Sequence, residues 1–337
     1  MPPQKNVGAI WLLAFGYFAA YVPYSALTKA LSSGAIGGAK LSGFSILPIA
    51  TAASALGMIT TITLLGWWRH AEQMRFGRWQ LPRPGRWTLL SGVCTSAILL
   101  TTTLAYTFDG VSIVFMMLLM RGGVLVIAPI VDASSGRHVR WFSWVALVLS
   151  LLALLDAVWT VGGFGLTTIA AIDVVIYLAS YFVRLRFMSR LAKGSPEANR
   201  KFFVEEQMVA TPLALLVLAS WALWGQSLTS AALRRGFSDV WASPSMIWVV
   251  IIGLCSQATG VFGGLVLLDP RENSFAVPVN RAASVLAGLC ATLIAAGFIG
   301  GQPLSSGELV GAVLVVAAIA ALTLGPRFDR APAKSAS

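Results

Sequence analysis

Acidic side chains are scarce in this sequence: thirteen Asp and Glu among 337 residues, beside two histidines and three cysteines. Charged residues of both signs make up only 11% of the chain, against about 25% in a soluble globular domain. So little charge excludes an ordinary water-soluble fold. Cys94, Cys255 and Cys290 lie inside apolar runs, with no His or Cys at metal-ligand spacing. Neither a disulfide framework nor a zinc site is supported. The acidic or histidine clusters that membrane-embedded enzymes expose at one face are missing too. No P-loop lysine follows the glycines at 260, 263 and 264, which read as packing positions. The chain is therefore expected to need no cofactor and to catalyse no reaction.

What the chain has instead is long apolar runs, with 57% apolar residues and a mean hydropathy of +0.79. Ten recur, at 8–29, 43–68, 87–107, 111–131, 141–159, 164–184, 203–225, 245–268, 274–298 and 306–325. Each can cross a hydrocarbon core about 30 Å thick. The expected fold is an all-α polytopic membrane protein of ten transmembrane helices. No polar stretch between runs is long enough for a soluble domain. The first run exceeds the 7–15 residues usual for the core of a signal peptide, so it is read as a retained span.

The net charge of +11 invites a nucleic-acid reading, but the basic residues form no patch or arm. Of the 24 Lys and Arg residues, 18 fall in the terminal tails and in the loops after the second, fourth, sixth and eighth spans. Four (Lys29, Lys40, Arg234 and Arg235) fall in the opposite set, and Arg121 and Arg281 lie within spans. The positive-inside rule then places both termini in the cytoplasm, in a cell inner membrane. Tryptophans such as Trp67, Trp68, Trp87, Trp141, Trp159 and Trp248 stand at span ends, as in an interfacial belt. The partners this implies are the bilayer and a small molecule, not nucleic acid.

A repeat runs through the chain. Sliding it by 160 residues sets YFAAY (Tyr17–Tyr21) on YLASY (Tyr177–Tyr181), Ala50-Thr51 on Ala210-Thr211, and Arg121 on Arg281. At 161, WTLLSGVCTSA (Trp87–Ala97) meets WVVIIGLCSQA (Trp248–Ala258). Residues 1–160 and 161–326 are thus read as two five-helix repeats, followed by a short basic tail at 327–337. Five is odd, so the second repeat enters the membrane from the opposite side. Such inverted repeats place a transporter's site near the midplane, at the repeat interface.

The five-plus-five pattern, the short tails and the basic loop after the second span resemble the drug/metabolite transporter superfamily. LMRGGVLVIAPI in the fourth span, a charged turn and WFSWVALVLSLLALL are similar to its EamA-like and nucleotide-sugar-transporter-like branches. ELVGAVLVVAAIAAL (Glu308–Leu322) is similar to its small-residue last helix. The resemblance implies that spans 1, 3, 4, 6, 8 and 9 line a cavity. Spans 5 and 10 would be peripheral and often make a dimer contact. A stripe of Gly311, Ala318 and Ala321 suits that contact.

Arg121 and Arg281 carry the functional reading. At 1.5 Å per residue they lie about 15 and about 12 Å from opposite faces. A guanidinium at that depth costs about 2.5–3.5 kcal/mol on insertion scales, so it should face protein or a hydrated cavity. Two readings stand. Either the pair offers charge to a phosphate or carboxylate, or each is structural, with Asp173 as the acidic partner. Asp173 is also a candidate for proton coupling. Asn280 adds an amide, and Pro278 either frees a backbone carbonyl in a broken helix or sits in a first turn. Pro129 reads as a helix end. Tyr17/Tyr21 and Tyr177/Tyr181 are each four apart, hence on one helix face. They either line the cavity or pack structurally. Glu205-Glu206 read as solvated acids at a helix start, and His70 and His138 as solvated loop residues. The function expected is alternating-access transport of a small anionic or zwitterionic metabolite. A lipid-phosphate flippase or a membrane-embedded lipid-carrier enzyme is the alternative.

Overall fold

A computed structural model describes residues 7–36, 40–76, 78–105, 113–137, 139–160, 168–299 and 306–328. Long apolar stretches satisfy their backbone in lipid by helical hydrogen bonding within the segment. Among the described residues the long helices are α1 (Val7–Ser33), α2 (Gly43–Leu64), α3 (Arg86–Leu104), α4 (Ile113–Ser134), α5 (Trp141–Thr160), α6 (Thr168–Phe187), α7 (Pro196–Trp224), α9 (Met246–Leu267), α10 (Asn273–Ile299) and α11 (Ser306–Phe328). A shorter helix, α8 (Leu228–Ser238), stands between α7 and α9.

Among the described residues, six segments are long and apolar enough to cross a membrane. They are Gly8–Ser33, Gly43–Leu64, Thr168–Ala192, Pro196–Trp224, Met246–Leu267 and Asn273–Ala291. Their outward faces carry large bare side chains, Leu12 at 72% exposure and Phe15 at 64% among them. Apolar surface on that scale needs a lipid covering. The chain is a largely α-helical membrane protein.

Several boundaries differ from expectation. The second run stops as a helix at Leu64; Trp67–His70 form a 3-10 turn, and β1 (Glu72–Phe76) pairs antiparallel with β2 (Trp79–Arg83). The expected all-α fold thus carries one two-stranded ribbon on its basic face. Pro129 lies inside α4, which continues to Ser134, and Pro278 lies inside an unbroken α10, beyond its first turn. The seventh run begins at Pro196, capped by Ser195 Oγ accepting from Ala198 N at 3.1 Å.

The packing follows a regular plan. α1 lies on α9 and α10, and α6 on α3 and α4; α2 lies on α9, and α7 on α3. α4 meets α5 and α10 meets α11, and α4–α10, α5–α11 and α2–α7 also touch, while α10 packs in addition on α9 and α5. Exchanging α1–α5 for α6, α7, α9, α10 and α11 maps most of these pairings onto one another, but the contacts of α10 with α9 and α5 have no counterpart of similar extent. Glycines permit two of the closest approaches. Gly92 of α3 leaves only 3.0 Å for a Cβ before the Glu206 carbonyl of α7, and Gly253 of α9 abuts the Ala50 carbonyl of α2. These are the two glycines that the sequence repeat aligns, as small-residue packing requires.

α8 adds a feature outside that plan. Ser230, Leu233 and Gly236, spaced by three, are its buried face. A Cβ at Gly236 would come within 2.6 Å of the Ser45 carbonyl, so glycine lets α8 lie directly on the start of α2.

Candidate functional site

The two arginines and four tyrosines meet in one buried cluster. Residues four apart share a helix face, so Tyr17 and Tyr21 point the same way from α1, with ring centroids 5.6 Å apart. Tyr177 and Tyr181 do the same from α6, at 4.8 Å. The Arg121 guanidinium of α4 lies 5.3 Å from the Tyr21 ring centre, and that of Arg281 in α10 lies 5.0 Å from Tyr181. The repeat aligns Tyr21 with Tyr181 and Arg121 with Arg281, so the aligned residues make the same pairing twice. Tyr17 and Tyr177 each lie within electrostatic reach of both arginines.

The two arginines are held differently. Arg121 donates through Nη1 to Ser284 Oγ at 2.7 Å and through Nη2 to the Tyr21 hydroxyl. Ser284 Oγ in turn donates to the Arg281 carbonyl at 2.8 Å, tying α4 to the backbone of α10. Arg281 is only 6% exposed, and its Nε and Nη2 have no hydrogen-bond partner. Asn280, next to Arg281, donates through Nδ2 to the Gly263 carbonyl at 3.3 Å. Gly263 is needed there, because a Cβ would meet the Tyr17 ring at 2.8 Å and Asn280 Nδ2 at 3.2 Å.

Asp173 does not join Arg281 in an ion pair. It precedes Tyr181 by eight residues on α6, about 12 Å along the axis. Its side chain is nonetheless buried, at 3% exposure, and neither carboxylate oxygen has a hydrogen-bond partner. The acid that does pair in this region is Glu206. It takes Arg184 Nε at 2.9 Å and Nη2 at 2.7 Å, and accepts Ser91 Oγ at 2.6 Å. Breaking such a buried pair by removing one partner costs about 3–5 kcal/mol.

Glu205 and Glu206 are therefore not solvated. Both are fully buried, because α7 starts at Pro196 and puts them in its third turn. Glu205 accepts from the backbone amides of Glu72 at 2.9 Å and Gly85 at 3.1 Å, and from Thr88 Oγ1 at 2.6 Å, fastening both ends of the ribbon. His70 Nε2 is buried without a partner, and His138 lies outside the described residues.

A second polar cluster, on the basic face, was not anticipated. Asp132, fully buried near the end of α4, accepts from Asn273 N at 3.0 Å and Nδ2 at 2.8 Å. It also accepts from Ser274 N at 2.7 Å and Oγ at 2.6 Å, so one helix end caps the start of another. Asn273 Nδ2 also reaches Ser189 Oγ at 2.6 Å. The α9–α10 turn is held by Arg137 and Lys193, which donate to the Arg271 carbonyl at 3.3 and 3.0 Å. Asn199 donates to the Leu268 carbonyl at 2.7 Å. Burial first, and then the neighbouring Arg137, push the Lys193 ammonium down to about 7, against Asp132, Asp269 and Glu272.

The small-residue stripe on α11 is used within the chain. Gly311 faces the Ala153 carbonyl of α5 at 3.9 Å, and Ala318 is buried with Phe142 and Ala146. Ala318 thus faces α5 within the chain, while Gly311 and Ala321 stay half-buried.

No family model matches the sequence, and no curated protein matches it. A solved structure known only as "Crystal structure of protein" is similar, with a TM-score of 0.57 and 14% identity. The match covers 96% of this chain and 99% of that one. At such identity the likeness concerns the fold alone.

Proposed function

We propose that this chain is a secondary transporter for a small anionic or zwitterionic metabolite bearing a phosphate or carboxylate. It crosses a cell inner membrane ten times, as two inverted five-helix repeats with both termini in the cytoplasm. The pairings that the exchange of halves preserves, and the twice-made arginine–tyrosine pairing, support the repeat. The helices that supply the cluster, α1, α4, α6 and α10, are four of those that the drug/metabolite transporter resemblance assigns to the cavity.

One observation carries the reading. Arg281 is a buried cation with two guanidinium nitrogens unengaged, and a planar fork of that kind fits carboxylate or phosphate oxygens. Desolvating a charge without full compensation is costly, and a substrate anion would offset that cost. Arg121, fixed by Ser284 and Tyr21, supplies a second charge. The tyrosine rings supply walls on which a sugar or base can stack and hydroxyls for its polar groups. Alternating access follows if the two halves exchange packing around this centre. The Asp132–Asn273 cluster would then hold the cytoplasmic side shut. Asp173, buried and unpartnered one turn from Tyr177, is suited to carry a coupling proton.

Purified protein in liposomes should exchange at least one of four labelled probes: inorganic phosphate, glycerol 3-phosphate, uridine monophosphate or glutamate. Arg281→Gln should abolish that exchange, and Lys should rescue poorly because a point charge lacks the fork. Undiminished exchange in the Gln variant would sink the assignment.

A further inference from the structure

Away from the centre, at the end of the molecule where α2 begins, a cleft of ≈ 470 Å³ opens between the α1–α2 connection and α8. Its volume lies within the range of small-molecule sites. Lys40 and Arg235 both line it. They are two of only four basic residues on the side of the chain that the charge bias leaves nearly bare of cations. Both are exposed, and among the described residues neither side chain forms an ion pair. Arg234, next in the chain, is by contrast consumed by the carbonyls of Ala222 and Gly225, both at 2.9 Å.

We propose that this cleft is a second anion site, selective for a monoanionic phosphodiester. The charge decides the class. Asp239 also lines the cleft, its carboxylate accepting from Ser238 Oγ at 2.6 Å, so the lining carries two cations and one anion. A net charge of one matches a phosphodiester better than a dianionic phosphate monoester. The lining serines are engaged within the fold, Ser243 Oγ donating to the Val240 carbonyl at 2.8 Å and Ser42 Oγ accepting from Ser45 N at 3.2 Å, so the two cations carry the recognition. The rim is apolar: Leu228 lines the cleft at 93% exposure, and Trp241 nearby is half exposed. A phospholipid headgroup and a free phosphodiester share this chemistry, and the rim favours the lipid. α8 would then lie at headgroup depth, with its buried stripe on α2 and Arg235 toward the interface.

The test uses the full-length protein in neutral detergent, in an Arg281→Gln background that silences the central site. Calorimetry would follow binding of dihexanoyl-phosphatidylglycerol, its deacylated form glycerophosphoglycerol, and dihexanoyl-phosphatidylcholine as the zwitterionic control, whose phosphodiester is balanced by a quaternary ammonium. Phosphatidylglycerol should bind, and Lys40→Gln with Arg235→Gln should weaken it by ~10-fold or more, the scale of losing charge-assisted contacts. Arg75→Gln with Arg190→Gln removes two exposed charges elsewhere and should leave binding intact. Binding of glycerophosphoglycerol would show that the soluble anion suffices; its failure beside bound phosphatidylglycerol would assign the site to lipid. Equal weakening by both double variants would reduce the effect to net charge and overturn the proposal. So would equal binding of phosphatidylcholine, or no binding of any probe. Melting temperatures of both double variants check that the exposed substitutions leave the fold intact.

Discussion

The arginine–tyrosine centre and the Asp132 cluster are both buried and polar, yet they handle charge in opposite ways. Asp132 accepts four hydrogen bonds from two residues, and the α9–α10 turn beside it is held by three further side chains. Arg281 has two nitrogens with no partner at all. The centre also obeys the sequence repeat, whereas the cluster does not: the position aligned with Asp132 is Thr292. A saturated network fixes one arrangement of helices. A buried cation kept below its bonding capacity lowers stability, and under the proposed function a substrate anion would offset that cost.

The largest effect is expected from emptying the saturated side. Asp132→Ala leaves the amides of Asn273 and Ser274 and two side-chain donors without their acceptor. Hydrogen bonds to a charged group contribute about 1.5–3 kcal/mol each, with further cost for donors left buried. The loss should be at least about 3 kcal/mol, seen as a sharply lower melting temperature and poor folded yield in detergent. Asp132→Asn should recover part of it. An unchanged melting temperature for the alanine variant would erase the contrast between the two regions.

The under-bonded side should respond the other way. Arg281→Gln removes a desolvated charge with two unengaged nitrogens but also its contact with Tyr181, so the melting temperature should change little while exchange disappears. Arg121→Gln should cost about 1–2 kcal/mol, since it breaks contacts to Ser284 and Tyr21. A drop for Arg281→Gln as large as that for Arg121→Gln would mean both arginines are structural.

Much of the centre was legible in the sequence, for reasons that show where reading stops. An arginine inside an apolar run is visible because its cost is large and local. The repeat doubled the signal, and i, i+4 spacing put the tyrosines on shared faces. Ser284 was missed because a serine among alanines has no cost that marks it. Its role depends on α4 and α10 touching. Asp132 was missed for a similar reason: near a span end it looks like an ordinary interfacial acid until the start of α10 is placed against it. Glu205 and Glu206 were misread because helix starts are the least certain boundaries, and α7 begins seven residues before its apolar run. The ribbon was missed because two five-residue strands carry too little alternation to stand out.

Lys193 offers a milder test. Its folded value, near 7, lies below that of a free lysine, so the folded state holds fewer protons than the unfolded state above that value. Stability should therefore rise with pH from about 7 towards 10, and the contribution is lost as pH falls through 7. Lys193→Met, which keeps the apolar stem, should flatten the melting-temperature profile over that window. A wild-type profile that falls across it would contradict the burial of a largely neutral amine.

The smallest change concerns the one hydroxyl that joins the two arginines. Ser284 Oγ receives Arg121 Nη1 and donates to the Arg281 carbonyl, so Ser284→Ala removes two hydrogen bonds but no charge. An intramolecular hydrogen bond is worth about 0.5–1.5 kcal/mol net, and one to a charged group somewhat more. Stability should therefore fall by about 1–2 kcal/mol, well short of the Asp132→Ala loss. The freed Arg121 nitrogen remains in the centre, so exchange should persist with weaker substrate affinity, because the guanidinium is less well oriented. Ser284→Thr retains the hydroxyl and should restore most of that affinity. If Ser284→Ala abolished exchange as fully as Arg281→Gln, the bridging serine itself would be a substrate contact. The line between a structural tie and a ligand site would then run through α10 rather than between the two clusters.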